Sequence, residues 1–400
     1  MKTSDITIIG AGIVGLATAY TILKKNPNIR LLIIEKENEV AKHQTGNNSG
    51  VIHSGIYYKP GSLKAINCRR GYQMLLDFCD DNNIEYDICG KVIVAASEKE
   101  LPALENIFNR GIENGLDGIK YLSEVQLKER EPHVNGIKGI FVPQTGIIDF
   151  KTVSEKLAES IRKKGGEIVF NTSLQKIINT HDVIIVETNS GEYHSKFVIT
   201  CAGLQSDRIA RMTKPDLDVR IIPFRGEYYK LKDSSKTLVN NLIYPVPDPA
   251  FPFLGVHFTR MINGDVECGP NAVFSFKREG YSKLSFNFRD TIDSLSWRGF
   301  HKVALNYWKM GLGEFYRSFN KNAFVRALQK LIPEIKESDL IKGGAGVRAQ
   351  ACDKNGKLID DFYFVEQENL IHVCNAPSPA ATSALSIGEY ISDKYFKQVA

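Results

Sequence analysis

Gly10, Gly12 and Gly15 constrain this chain more than any other feature. They punctuate Asp5-Ile-Thr-Ile-Ile-Gly-Ala-Gly-Ile-Val-Gly-Leu-Ala-Thr-Ala-Tyr20, and Leu31-Leu-Ile-Ile-Glu35 follows. The pattern predicts a buried strand, a glycine turn, a helix and a second strand that ends in a carboxylate. Gly10 permits the tight turn, Gly12 lets a pyrophosphate approach the backbone, and Gly15 lets the helix pack on the strand. The helix N-terminus offers free N–H groups and a positive dipole end to phosphates. Glu35 stands where a carboxylate accepts from both ribose hydroxyls, and it would repel the 2′-phosphate of NADP. The glycines alone are weak. With the flanking strand, the helix and the acid they read as a dinucleotide site rather than an ordinary glycine-rich turn.

Four hundred residues suit two connected domains. Apolar residues at 43% supply sizeable cores, and charged residues at 24% are ordinary for a globular protein. A net charge of +5, with no basic cluster interleaved with aromatics, argues against nucleic acid. Seven scattered cysteines without Cys-x-x-Cys suggest reduced thiols in a cytoplasmic setting and no metal site. The apolar run 6–23 is explained position by position as strand and helix, not as a membrane anchor.

Further along, periodicity predicts helices over 62–80, 98–115 and 149–164, and strands over 91–96, 167–170, 183–186 and 197–203. A strand-rich stretch follows at 219–232, 243–259 and 265–276, then helix over 287–331. The strand 370–374 leads through a turn at 375–382 into a last helix. The expected class is α/β: a Rossmann-like FAD-binding domain with an interleaved substrate domain on an antiparallel or mixed sheet. The nucleotide sheet resumes at 197–203, which divides the chain into 1–90, 146–215 and 340–400 for FAD, and 91–145 and 216–339 for substrate.

The cofactor reading rests on a second glycine-rich stretch, His43-Gln-Thr-Gly-Asn-Asn-Ser-Gly-Val-Ile-His-Ser-Gly-Ile-Tyr-Tyr58. An NAD enzyme needs only the first crossover for its adenosine half. A donor-rich loop just after Glu35 suits a flavin dinucleotide, covering its pyrophosphate and ring. Val51, Ile52 and Ile56 interrupt the polarity as in a buried loop. Candidate contacts to non-covalent FAD are Gly10, Gly12, Ile13, Gly15, Glu35 and Lys36 of the crossover. Thr45, Gly46, Asn48, Ser49, Gly50, Val51, His53 and Ser54 come from the loop, with Ala202 and Gly203 at the strand end. Arg348, and the turn of Ser378, Pro379, Ala380, Ala381 and Thr382, complete the set.

Several long motifs then carry a resemblance. They include Asn48-Ser-Gly-Val-Ile-His-Ser-Gly-Ile-Tyr-Tyr-Lys-Pro60, Pro223-Phe-Arg-Gly226, Phe251-Pro-Phe-Leu-Gly-Val-His257, Lys277-Arg-Glu-Gly-Tyr281, Ala345-Gly-Val-Arg-Ala-Gln350 and Asn375-Ala-Pro-Ser-Pro-Ala-Ala-Thr382. Across nearly its whole length the chain resembles the L-2-hydroxyglutarate oxidase/dehydrogenase family, within the glycine oxidase and D-amino-acid oxidase-like flavoproteins. The resemblance implies oxidation of L-2-hydroxyglutarate to 2-oxoglutarate, with FAD taking the hydride from C2.

That chemistry needs a carboxylate clamp and a proton acceptor. Arg348 is the first clamp candidate and Arg225 the second, because a guanidinium binds a carboxylate with two parallel hydrogen bonds. A structural salt bridge is the plain alternative for each. His257 is preferred as base, with His53 as rival, since histidine titrates near neutrality. Electrons then pass to oxygen or a quinone. Residues 281–330 carry nine basic against three acidic side chains, with Trp297, Phe300, Ala304 and Trp308 at helical spacing. A basic helix with an aromatic face suits peripheral contact with the inner face of the cell membrane through 287–330; a face packed on the substrate domain is the blander expectation. Competing functions are an amine oxidase of the glycine or sarcosine type, oxidation of another 2-hydroxy acid, an NAD-dependent dehydrogenase, and a catalytically silent flavoprotein.

Overall fold

The first strand, Lys2–Ile9, buries Ile6, Ile8 and Ile9, and the second, Leu31–Ile34, is buried throughout. Continuous apolar runs of this kind belong to parallel strands covered on both faces. In the computed structural model, which describes residues 2–180, 182–248 and 254–400, the two strands pair in parallel, and Lys2–Ile9 pairs on its other side with Gly191–Thr200. Glu167–Val169 extends the sheet beyond Leu31–Ile34, and Leu370–Asn375 adds in parallel to the end of Gly191–Thr200. The sheet has eight strands, with Leu174–Asn179, Ile184–Thr188 and Tyr363–Gln367 as antiparallel additions. His181 and Phe251-Pro-Phe253 lie outside the described residues.

Helices cover this sheet. Ile13–Lys25 packs against Ala384–Val399 and Phe150–Lys163, burying Leu16, Ile22 and Leu23 with Leu157, Ile161, Ile387 and Ile391. Two starts are set by side-chain caps: Ser62 accepts from the Ala65 N–H before Leu63–Asp81, and Asp149 accepts from the Lys151 N–H at 2.8 Å before Phe150–Lys163.

A nine-stranded sheet forms the other layer. Val219–Leu231 and Leu340–Asp353 pair along their length, and Lys91–Ala95, Lys120–Ser123, Lys138–Val142, Leu242–Pro245, His257–Arg260, Val266–Gly269 and Val273–Phe274 complete it. Leu340–Asp353 therefore belongs by pairing to this sheet, beyond the 216–339 range read for the substrate domain.

The predicted helix 287–331 is three helices, Phe288–Leu295, Arg298–Phe319 and Lys321–Leu328. Asn320 makes the second break, since it ends one helix and its side chain accepts from the Ala323 N–H at 3.0 Å to start the next.

A buried ionic cluster ties this excursion to the first sheet. Arg278, 1% exposed, donates to Asp207 at 2.9 Å and to Asp293 at 2.7 Å, and Arg208 donates to Asp290 at 2.6 Å. Burial alone would raise the Asp293 carboxyl, but Arg278, Arg220, Arg208 and Arg211 hold it below its ordinary value.

Candidate active site

A cavity of about 930 Å³ runs between the two sheets, large enough for a dinucleotide and a small acid. Its first end is the glycine turn. Gly10 has φ +105°, and a side chain there would meet the Cys201 carbonyl oxygen at 2.5 Å. A Cβ on Gly15 would fall 2.1 Å from the Gly10 oxygen, so this glycine brings helix onto strand. A Cβ on Gly12 would have its nearest neighbour, Thr45 Oγ1, at 3.6 Å, leaving room on the cavity side. The helix that begins there has no cap from Gly12 and no acid in its first turn, and the one side chain on its end is the neutral Thr45 hydroxyl, which accepts from the Ile13 N–H at 3.2 Å, so its positive end carries no anion of the protein.

Glu35 lines the same end. Its Oε2 accepts from the Ala11 N–H at 2.7 Å and its Oε1 from the Glu37 N–H at 3.0 Å. Each oxygen keeps a lone pair for a ribose hydroxyl. Lys36 pairs with Glu279 at 2.6 Å, and His43 Nδ1 lies 3.0 Å from the Tyr281 hydroxyl, latching the loop to the far layer.

The middle and far parts are built from segments distant in sequence. Thr45, Asn48, Ser49, Val51, His53, Ala202, Gly203, Ser378, Pro379, Ala380 and Ala381 all line the cavity, as do Ile13 and Lys36. Gly15, Gly46, Gly50, Ser54 and Thr382 do not border it and act behind the wall. Thr382 accepts from the His53 N–H at 3.0 Å, stapling the C-terminal turn to the loop. Ser54 is buried, and its hydroxyl has no partner among the described residues.

At the substrate end, His257 Nδ1 lies 2.9 Å from the Gly255 carbonyl oxygen. A carbonyl only accepts, so Nδ1 carries the hydrogen and Nε2 keeps a lone pair. Burial pushes His257 down to about 4 and His53 to about 3, so both rings are neutral at neutral pH. Arg348, opposite Phe224 in the long strand pair, borders the cavity and is accessible from it.

Arg225 requires a correction. It does not border the cavity. Its Nε and Nη2 donate to Glu227 at 3.0 and 2.7 Å, and its Nη1 donates to the Ser282 carbonyl at 3.0 Å. This guanidinium is committed to a structural pair.

Sequence reading missed Thr172, Ser173 and Leu174, which line the nucleotide end. They follow Glu167–Val169, at the carboxyl end of a parallel strand, where doubly wound sheets bind ligands. It also missed Lys64, Tyr228 and Tyr244, for which no local motif exists.

The profile of the family described as FAD dependent oxidoreductase matches residues 5–394. A protein from Indibacter alkaliphilus named L-2-hydroxyglutarate dehydrogenase is 56% identical over 98% of this chain and 99% of its own length. One of the same name from Escherichia coli K12 is 46% identical over 98% of this chain and 92% of its own. The chain belongs to the FAD-dependent oxidoreductase family, among the L-2-hydroxyglutarate dehydrogenases. Solved structures share the fold of this flavoprotein. An L-α-glycerophosphate oxidase from Mycoplasma pneumoniae with FAD bound superposes with TM-score 0.80 at 22% identity, covering 100% of this chain and 95% of that one. A glycine oxidase from Geobacillus kaustophilus does so with TM-score 0.76 at 14% identity, covering 100% and 96%.

The cavity fits the family's cofactor. The helix end without an acidic partner and the open space over Gly12 suit a pyrophosphate, and Glu35 suits a ribose. The loop 45–53 and the turn 378–381 would enclose the flavin half.

Proposed function

We propose that this flavoprotein oxidises L-2-hydroxyglutarate to 2-oxoglutarate. The observation that carries the reading is the pairing of two groups in one enclosed cavity: a neutral His257 with its Nε2 lone pair, and the Arg348 guanidinium. The names and identities of the relatives support the choice of acid. Arg348 would bind the C1 carboxylate through two parallel hydrogen bonds and so orient C2. His257 Nε2 would accept the hydroxyl proton. Bound FAD supplies the acceptor for the hydride leaving C2. The two-domain division fits this scheme, with 1–90, 146–215 and 354–400 holding the nucleotide and 91–145 with 216–353 covering the acid.

The test is anaerobic mixing of purified yellow protein with each enantiomer of 2-hydroxyglutarate, and with lactate, malate and glycine. Loss of flavin absorbance with the L-enantiomer of 2-hydroxyglutarate is expected. Bleaching by glycine with release of ammonia, and none by hydroxy acids, would replace this reading with an amine oxidase.

We propose further that electrons leave to a lipid-soluble quinone. Trp297 and Phe300 pack inward, as the blander expectation had it: the Trp297 indole donates to the Cys352 carbonyl at 3.1 Å. A second stripe of the same helix, Leu305, Trp308, Leu312, Tyr316 and Phe319, is exposed, as are Leu284, Phe286 and Phe288 nearby. Exposed apolar area on this scale marks a docking surface. Arg289, Arg298 and Lys309 stand exposed among these residues, and Arg289 also lines the cavity. That combination favours an anionic bilayer as occupant, with the cavity mouth beside it. No helix of the described residues is long and apolar enough to cross a membrane. The protein is expected to co-sediment with phosphatidylglycerol vesicles at low salt and to lose this binding when Leu305, Trp308 and Leu312 are changed to serine. Absence of sedimentation by the parent protein would remove the membrane proposal.

A further inference from the structure

Lys91 opens the strand Lys91–Ala95, and the residue is 1% exposed. A lysine this deep ordinarily has a carboxylate beside it. Among the described residues, the one ionisable group that favours its charge is Cys68, itself kept a thiol by burial, which pushes it up to about 12. The ammonium lies instead between two phenol rings, 4.5 Å from the Tyr57 centroid and 4.8 Å from that of Tyr244. Both rings line the cavity. Tyr244 rests on the His257 ring at 4.0 Å, and the buried Tyr57 hydroxyl has no hydrogen-bond partner among the described residues. A positive charge therefore sits one ring's thickness behind the wall that carries the proposed base. The two rings lie between it and the cavity, and its field reaches through them.

We propose that Lys91 is a positioning residue that makes the substrate end select a dianionic acid: its ammonium, held behind Tyr57 and Tyr244, attracts the second carboxylate through their rings while Arg348 takes the first. This rests on the 2-hydroxy dicarboxylate reading above. The Tyr57 hydroxyl is itself buried, so the charge acts through the ring faces that border the cavity, with Lys91 as its source.

The groups facing Lys91 leave it alone to change charge near neutrality. Tyr57, Tyr244 and Cys68 are kept protonated by burial, and His53 and His257 are kept neutral by it. Lys64, from the helix that carries Cys68, is paired with Asp360 at 2.7 Å, and Arg348 is a permanent cation. Burial pulls Lys91 itself down to about 7. Rising pH removes the ammonium, so affinity for a dicarboxylate falls as pH rises, while affinity for a monocarboxylate barely moves.

The experiment titrates the FAD-loaded enzyme with glutarate and with butyrate, neither of which has a hydroxyl to oxidise, and follows the shift in flavin absorbance. The parent protein is expected to prefer glutarate by about 10- to 100-fold. That preference is expected to fade between about pH 6 and about pH 9. Lys91→Met is expected to erase most of the preference and its pH dependence, leaving butyrate affinity within about threefold. A preference retained in Lys91→Met, or one that is independent of pH in the parent, overturns the proposal. Should Lys91→Met fail to hold flavin, the parent's pH series decides the question. A pH-dependent glutarate preference in a protein whose flavin L-2-hydroxyglutarate leaves oxidised would support Lys91 and sink only the reaction reading.

Discussion

Replacing Arg348 with methionine is expected to raise the KM for L-2-hydroxyglutarate by about 100-fold or more, with FAD still bound at full stoichiometry. The side chain borders the cavity from a strand locked into the sheet by its pairing with Val219–Leu231. Removing the guanidinium leaves a substrate carboxylate enclosed without its partner, which costs about 2–5 kcal/mol. Arg348→Lys keeps the charge but loses the planar fork, so an intermediate loss is expected. Flavin absorbance per protein measures retention of the cofactor, and steady-state kinetics measures KM. An unchanged KM would remove Arg348 from the clamp.

His257→Gln is expected to lower kcat by about 10²- to 10⁴-fold, the usual contribution of a positioned base, with a much smaller change in KM. Its pH signature separates it from a packing residue. The folded ring has its proton affinity lowered to about 4 by burial, so the base form is present above that pH. The rising limb of kcat/KM in the parent enzyme is expected at about pH 4 rather than at the ordinary histidine value of 6.5. The same burial sets a stability trend. His53, His257 and His372 are lowered to about 3, 4 and 4. As pH falls below 6.5 the unfolded chain takes up protons that the folded chain refuses, so stability is full above that value and is lost progressively toward pH 4. A thermal melt series across that range checks the direction, and a melting temperature that climbs as pH falls would contradict it.

Much of the nucleotide end was legible because it is local. Gly10, Gly12, Gly15 and Glu35 lie within one crossover, and their spacing alone places a turn, a helix end and a carboxylate together. The loop from Thr45 to His53 was legible for a similar reason, since its alternation of glycine, donors and buried aliphatics is written into consecutive residues. The misreadings fall where spacing carries no information. Arg225 and Arg348 each sit in a short glycine-containing motif, and nothing local tells them apart. The register of one long strand against the other turns Arg348 to the cavity and leaves Arg225 to Glu227 and Ser282. Likewise, Trp297 and Trp308 read as one helical face, whereas packing on the second sheet takes the first and leaves the second in solvent.

By itself, then, the sequence determined the dinucleotide crossover, the donor-rich loop and the α/β class, because turns, helix ends and buried parallel strands depend on neighbours a few residues away. Only the tertiary structure decided which arginine faces the cavity, which ring nitrogen of His257 is free, and that a lysine without a carboxylate stands behind Tyr57 and Tyr244. Each of those depends on strand register and on burial, which join residues from 53 to 348 and which no local spacing encodes.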